Sequence, residues 1–487
     1  MTIGGYNRLN SQEDGSINTQ TTEGHDNGNS IFSSIVGKAR VRWAILGTIA
    51  FLTLILVGLF GARSEHSPLY RAAGYYRPSL FNEKGIYVGP LSSADPWVKS
   101  SGRKGLKYNT PFNPDDLTLT DDECDAFFPQ LYKEIDRSVD YFTNKQKYTI
   151  EYLEYACDDG IWTHARVVIY NNRVYLKSFQ KSEEMRSKAA LSLLHQAVTA
   201  SRQKLPNVEF CIGLMDWGSR GKFGIDRAPD LEDVWLMPDP GFWSWPEHVG
   251  SYQDLRERTA KIEEKIGWNG KKDKLIWRGT LENGKQDRET LVGSAQGYPW
   301  SDVAAIDWAQ PDQRPIAMED HCKWKYIAFP EGNTNNGRLR YLQTCHSVLV
   351  THKPRWVQHW THLYNPDWNS RDQNVVFVPP PSLSDKDTSK GIPVHDANGR
   401  EIGRDRTWER LPETMNRLLR NDRTARKIAD NQWKFFRERY NTPAAAMCYW
   451  RRAIRGFAKV QQYEVDLSGS ETSMETFMLK GMREWWH

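Results

Sequence analysis

Residues 325–353 read KYIAFPEGNTNNGRLRYLQTCHSVLVTHK, and the order of residue types in them decides the fold. A short apolar run, Tyr326–Phe329, stops at Pro330, where a strand must end. Gly332, Asn333, Asn335, Asn336 and Gly337 then form a loop whose backbone can come close to a ligand. Arg338 and Arg340 open a helical pattern that runs on through Leu342 and Gln343, and the apolar stretch after His346 is a second strand. A strand, a Gly/Asn loop, a basic helix start and another strand make a cradle for phosphate. The free N–H groups and positive dipole end of a helix favour an anion, and an arginine adds a planar, permanently charged fork. A basic first turn opposes the helix dipole, so it needs either an anion or a structural reason.

The stretches around this segment extend the same pattern. Val208–Met215 (VEFCIGLM) has the length and β-branched content of a buried strand, and Asp216 stands at its end. A shorter strand, Leu275–Trp277, runs into Arg278, Gly279 and Thr280, with Arg288 following in QDRETL. The alternation of strands and helices from there to about residue 380 predicts α/β layers on a parallel sheet, whose ligands belong at the carboxyl ends of the strands. Asp216 is placed to take a proton from an attacking hydroxyl, or to serve as a turn residue. Arg278 is placed either to meet phosphate or to pair with a neighbouring acid. Further out, Arg166–Phe179 reads as a hairpin around Asn171–Asn172. Leu117–Tyr148 has helical spacing with a Thr120-x-x-Glu123 capping signature. Near the C-terminus, Asp422–Tyr440 and a helix capped by Thr442 with Pro443 in its first turn form a pair. The tryptophan-rich stretch that begins PGFWSW at Pro240 offers indole faces that could stack on sugar rings, but reads first as packing between domains.

Topology is written at the other end. Trp43–Ala62 is an uncharged run long enough to span a bilayer as a helix. Lys38, Arg40 and Arg42 precede it, so the positive-inside rule keeps residues 1–42 cytosolic, where their polar composition predicts a disordered tail. Residues 63–110 read as a stem, 111–265 and 266–463 as two packed α/β domains, the second with closing helices, and 464–487 as a tail. A net charge of +4 over 487 residues argues against nucleic acid as the main partner. All six cysteines follow the apolar run, so disulfides or buried thiols are both open to them. No CxxC is present. Asp385-Lys386-Asp387 lies in a polar, Ser-rich loop and reads as a solvated turn; His359-x-x-His362 lacks the glutamate of a metal-binding HExxH. No metal ligand set is assigned, and dependence on a divalent cation stays open.

Taken in order, LPNVEFCIGLMDW, KLIWRGT, KYIAFPEGNTNNGRLRYL with HSVLVTH, and RTARKIADNQWKFFRERYNTPAAAMCYWRR resemble glycosyltransferase family 90, over about residues 115–463. That family holds fungal capsule-associated xylosyltransferases and animal protein O-glucosyltransferases. The resemblance implies a GT-B-like fold, two Rossmann-like domains facing a nucleotide-sugar cleft, behind one transmembrane helix. It implies an enzyme that moves xylose or glucose from a UDP-sugar to a glycan or glycoprotein hydroxyl, with inversion, and makes 111–265 the acceptor-side and 266–463 the nucleotide-sugar domain; the topology set by Trp43–Ala62 makes such an enzyme a type II protein of the Golgi or another secretory membrane. By the same resemblance, Asp216 is the general base, Arg278, Gly279 and Thr280 lie beside the donor, and Arg338 binds its diphosphate; the reading of the residues themselves adds Arg288, Gly332, Asn333 and Gly337 to the donor site. Asn336 departs from the Ser or Ala of many members, which leaves the identity of the sugar open. The alternatives are a non-catalytic sugar- or nucleotide-binding scaffold that kept the fold, and a glycoside hydrolase, for which a second carboxylate is not assigned.

Overall fold

A computed structural model describes residues 112–483, apart from residues 182, 217–218, 246–248, 382–390 and 396–400. The predicted span Trp43–Ala62, its cytosolic tail, the stem to residue 110 and the Asp385-Lys386-Asp387 turn lie outside the described residues. Among the described residues no helix is long and apolar enough to cross a membrane.

The first half of the chain builds a mixed sheet. β1 (Ala165–Tyr170) and β2 (Arg173–Phe179) form the expected hairpin, and Asn171 and Asn172 turn it with φ of 50° and 59°. β3 (Val208–Ile212) pairs antiparallel with β1, and β4 (Phe223–Gly224) and β5 (Trp235–Leu236) continue parallel to β3. The small ribbon of β6 (Ser244–Trp245) and β7 (Gly250–Ser251) carries the tryptophan-rich stretch into the helix Tyr252–Ile266.

The second half is a wholly parallel sheet. It consists of β8 (Lys272–Gly279), β9 (Ser301–Ala305), β10 (Trp324–Phe329), β11 (Val348–Thr351) and β12 (Val376–Phe377), arranged β12-β11-β10-β8-β9. Numbered within the sheet, that order is 2-1-3-4-5, the doubly wound arrangement whose direction of winding reverses between β8 and β10. Ligands of such sheets sit outside the carboxyl ends of the strands at that reversal. The loops after β8 and β10 therefore mark the functional edge. A hairpin of β13 (Ile392–His395) and β14 (Glu401–Asp405) follows.

The C-terminal helices do not stay with the parallel sheet. The helix Pro443–Val460 starts at Thr442, whose hydroxyl accepts the Ala445 N–H, and packs on the helices Lys133–Asn144 and Glu184–Thr199 of the first half. Its face is almost wholly buried, and Phe457 and Trp450 join Phe223, Trp235 and Phe142 in one aromatic core. A disulfide, Cys124–Cys448, fastens it to the capped helix Asp121–Phe127; the others are Cys157–Cys211 and Cys322–Cys345. The segment read as a tail also returns: β15 (Thr472–Ser473) pairs with β2, completing a six-stranded sheet in the order β15-β2-β1-β3-β4-β5. By packing, then, part of the segment placed in the 266–463 domain, and part of 464–487, belong to the first half. Helical periodicity fixes which face is apolar but not which sheet that face covers.

Candidate functional site

β10 ends at Phe329, and residues 330–337 form the loop at the winding reversal. Asn336 closes it from within: its amide donates to the Pro330 carbonyl at 3.3 Å, and its side-chain oxygen accepts the Arg338 N–H at 3.2 Å. Both ends of this side chain are spent on shaping the loop. Glu331 anchors the loop from below, accepting the backbone N–H of Arg355 at 3.0 Å, of Trp356 at 3.0 Å and the Arg355 Nε–H at 3.0 Å. Asp287 in turn accepts the Glu331 N–H at 2.9 Å, the Trp408 indole N–H at 2.9 Å and contacts from His352 and Arg355. Burial opposes a charge on Asp287, yet His352 and Arg355 hold its carboxyl well below the usual range. This buried network fixes the base of the loop.

After the loop the helix is a single turn, Leu339–Leu342. The expected longer helix, with a dipole aimed at an anion, is therefore corrected: a single turn contributes little dipole. Arg340 is corrected too. It is 2% exposed and points inward, with Nη1 2.8 Å from Asp239 Oδ1 and its guanidinium over the rings of Tyr341 and Phe242. Burial works against its charge, but Asp239 more than offsets it and raises its proton affinity. Arg340 is the structural reason a basic residue sits here.

Arg338 has no such partner. Its Nη1 donates to the Arg278 carbonyl at 2.5 Å, while Arg288 donates to the Thr280 carbonyl at 2.7 Å. Among the described residues neither guanidinium makes an ion pair. Burial, with Arg288 nearby adding a like charge, pulls the Arg338 proton affinity down to about 10. Burial lowers that of Arg288 as well, with Asp287 opposing. The neighbouring His321, which also feels Arg338, is held down to about 4 by burial and so stays neutral. Two adjoining cations without a carboxylate bonded to either leave a site for an anion with charges to spread over both.

Arg278 takes the other of its two readings. Its guanidinium bonds Asp302 Oδ1 at 2.6 Å and the Asp312 carbonyl at 2.6 Å, so its charge is neutralised inside the protein. What it lends the site is its backbone carbonyl, which aims Arg338. Gly279 matters for room: a Cβ there would lie 2.8 Å from Arg338 Nη2 and 2.6 Å from the Trp277 ring. Thr280 is exposed beside it. Gly332 and Gly337 do not take left-handed φ; the glycine that needs it is Gly284, at φ 69°, packed so tightly that a Cβ would meet the Gly332 carbonyl oxygen at 2.7 Å.

Asp216 reaches the same place from the other sheet. It follows the end of β3 and faces the loop after β10. Asn333 Nδ2 donates to its Oδ2 at 3.3 Å and the Thr334 hydroxyl to its Oδ1 at 3.5 Å, both long bonds of the kind a bound substrate can tighten or replace. Asn333 also accepts the Gly284 N–H at 3.1 Å, so this one side chain ties Asp216, the loop after β8 and the loop after β10 together. An acceptor for a proton thus lies across a short bridge from a paired-cation anion site. That combination can activate a hydroxyl and receive a departing phosphate.

The profile of Glycosyl transferase family 90 matches residues 121–369, which contain Asp216, both arginines and the loops that join them. The chain belongs to that family. Among curated family 90-type relatives, it is 23% identical over 291 residues to the O-glucosyltransferase rumi homolog of Aedes aegypti, covering 54% of this chain and 63% of that one. It is 22% identical over 290 residues to O-glucosyltransferase rumi of Drosophila melanogaster, at 54% and 62%. Protein O-glucosyltransferase 1 of Homo sapiens is 19% identical over 288 residues, at 54% and 65%. The chain thus spans a little under two thirds of the length of these family 90 relatives. Of the groups that shape this site, sequence reading missed Asp226, Asp239, Asp287, Glu331, His352 and Gly284. An acid two residues beyond the Phe223–Gly224 strand, and the Asp-Pro-Gly at 239–241, were the visible signals.

Among the described residues, His359 and His362 fall in no cluster with metal-like spacing. Both are buried, burial holds the His359 imidazole far down, and His362 Nε2 lies 2.7 Å from the Gln130 carbonyl. Among the described residues, the one group with metal-like spacing is Glu263 with Cys322 and Cys345, and those cysteines are joined to each other.

Proposed function

We propose that this chain transfers one sugar, glucose or xylose, from a UDP-sugar to a hydroxyl of a glycoprotein or glycan acceptor, with inversion at the anomeric carbon. The observation that carries this reading is the Arg288–Arg338 pair, two guanidiniums with no carboxylate bonded to them, at the winding reversal and across Asn333 from Asp216. An acceptor hydroxyl lying against Asp216 gives up its proton as its oxygen attacks the sugar from the face opposite the diphosphate. The bond to UDP breaks, and negative charge grows on the leaving phosphate oxygens. Arg338 and Arg288 meet that charge. Their attraction strengthens as it develops, so they favour the transition state over the ground state.

The names of the relatives support glucose and a protein acceptor as the first pair to test, although the departure at Asn336 leaves the sugar contacts to be measured. We read the parallel sheet and the β3-β4-β5 edge of the first sheet as the two facing lobes of a GT-B arrangement. We place the enzyme as a single-pass type II protein of the Golgi or another secretory membrane, anchored by Trp43–Ala62. The three disulfides support an oxidising lumen. The test is to incubate the purified full-length chain with UDP-glucose, UDP-xylose and other nucleotide sugars, with glycan and glycoprotein acceptors, and to measure released UDP and sugar transferred. Acceptor-dependent release from one UDP-sugar is expected. Absence of transfer from every donor, with UDP still bound, would instead fit a non-catalytic scaffold.

A further inference from the structure

Behind Asp216 lies a second carboxylate that this chemistry does not use. Asp226 follows β4 and is 1% exposed, so it cannot reach a sugar and does not complete a hydrolase pair. Its Oδ2 accepts the Asn335 backbone N–H at 3.2 Å and the Asn335 side-chain amide as well. Its Oδ1 is buried without a hydrogen-bond partner. Thr334 lies in the same loop, where its hydroxyl reaches Asp216 Oδ1 at 3.5 Å and, by favouring the Asp226 carboxylate as well, opposes the rise that burial imposes on that acid. A threonine hydroxyl has a single proton to donate, so it cannot serve both carboxylates at once.

We propose that Asp226 is a positioning residue for Asp216: through Asn335 it pins the loop after β10, and through Thr334 it decides which acid receives the hydroxyl proton. This rests on reading Asp216 as the base. Burial, with the Asp216 charge adding to it, pushes the Asp226 carboxyl up to about 7. The groups facing it are otherwise neutral, since the loop contributes Asn333, Thr334 and Asn335. The adjacent Arg227 is turned away onto Glu134, at 2.8 and 3.1 Å. Below that pH, protonated Asp226 donates its O–H to the Thr334 oxygen, and the Thr334 hydroxyl is left for Asp216. Above it, ionised Asp226 competes for the same proton, and Asp216 loses the donor that orients it.

The test compares the full-length chain with Asp226→Asn, whose amide N–H imitates the protonated acid at every pH. From pH 5.5 to 8.5, the wild-type kcat should carry an inflection near 7 of about two- to tenfold, the worth of one hydrogen bond. The variant should lack it, with donor KM unchanged in both. Superimposed profiles would overturn the proposal. Thr334→Val, which removes the shared hydroxyl, should also abolish the inflection, and it decides the matter if Asp226→Asn fails to fold. A second readout needs no turnover. A carboxyl raised in the folded state weakens the fold as pH climbs from the unfolded value, near 4, through about 7. The melting temperature of Asp226→Asn should therefore gain on wild type between pH 4.5 and 7 and level off above. A constant difference would overturn the proposal even if no sugar were transferred, so its failure is separable from that of the proposed function.

Discussion

Replacing Arg338 by Met should weaken nucleotide binding sharply without weakening the fold. Burial and Arg288 hold the Arg338 proton affinity down to about 10. That is about two and a half below an ordinary guanidinium, or about 3 kcal/mol of strain in keeping the charge where it is. The side chain is only half-buried by surface area, so solvent screening cuts this to about 1–2 kcal/mol. Against the gain stands the lost bond to the Arg278 carbonyl, at 2.5 Å, worth about 1 kcal/mol. The variant without ligand should therefore melt at or slightly above the wild-type temperature. UDP binding behaves in the opposite way. Losing one charged fork from a diphosphate costs about 2–4 kcal/mol, or about 30- to 1,000-fold in Kd. Thermal unfolding with and without saturating UDP, together with calorimetric titration, reads both effects. A variant that melts far below wild type yet binds UDP with unchanged affinity would refute the assignment, because Arg338 would then be a structural residue.

Three further outcomes follow from particular contacts. Gly284→Ala forces a side chain into a left-handed site against the Gly332 and Glu331 carbonyls; it should lose about 1–3 kcal/mol on melting and weaken UDP binding, since the loop must shift. Asp239→Ala leaves Arg340 buried without its partner and should cost about 3–5 kcal/mol by denaturant titration, whereas Asp239→Ala with Arg340→Met together should recover most of it. The Cys124–Cys448 bond closes a span of 324 residues; replacing both cysteines by serine should lower stability by about 2–5 kcal/mol while leaving the kcat of the folded enzyme unchanged.

What could be read from the residues was local. The Asn171–Asn172 hairpin, the Thr120–Glu123 capping box and the Thr442 cap each depend on neighbours a few positions apart, and each formed as expected. The strand-loop-strand order of 325–353 likewise follows from hydrophobic runs and Gly/Asn punctuation. The destinations of the charges were not legible. Arg278, Arg338 and Arg340 look alike in sequence, yet one meets Asp302, one meets no acid and one meets Asp239, through contacts that only the assembled sheets create. The same is true of Asp226, whose importance comes from a loop more than a hundred residues away. In Asp422–Tyr440, Ala425, Ile428 and Phe436 lie buried on one stripe, as a helical repeat requires, but that repeat does not reveal that Trp433–Tyr440 widens into π turns. Nor could it show that the next helix crosses back to the first sheet.

The central claim is that Asp216 performs the chemistry while the arginine pair holds the donor. Asp216→Asn separates the two in one preparation: UDP affinity by calorimetry, and sugar transfer by UDP release, on the full-length protein. The account predicts a Kd within about threefold of wild type and transfer reduced by about a hundredfold or more, the usual worth of a general base. Transfer at the wild-type rate in that variant would contradict it.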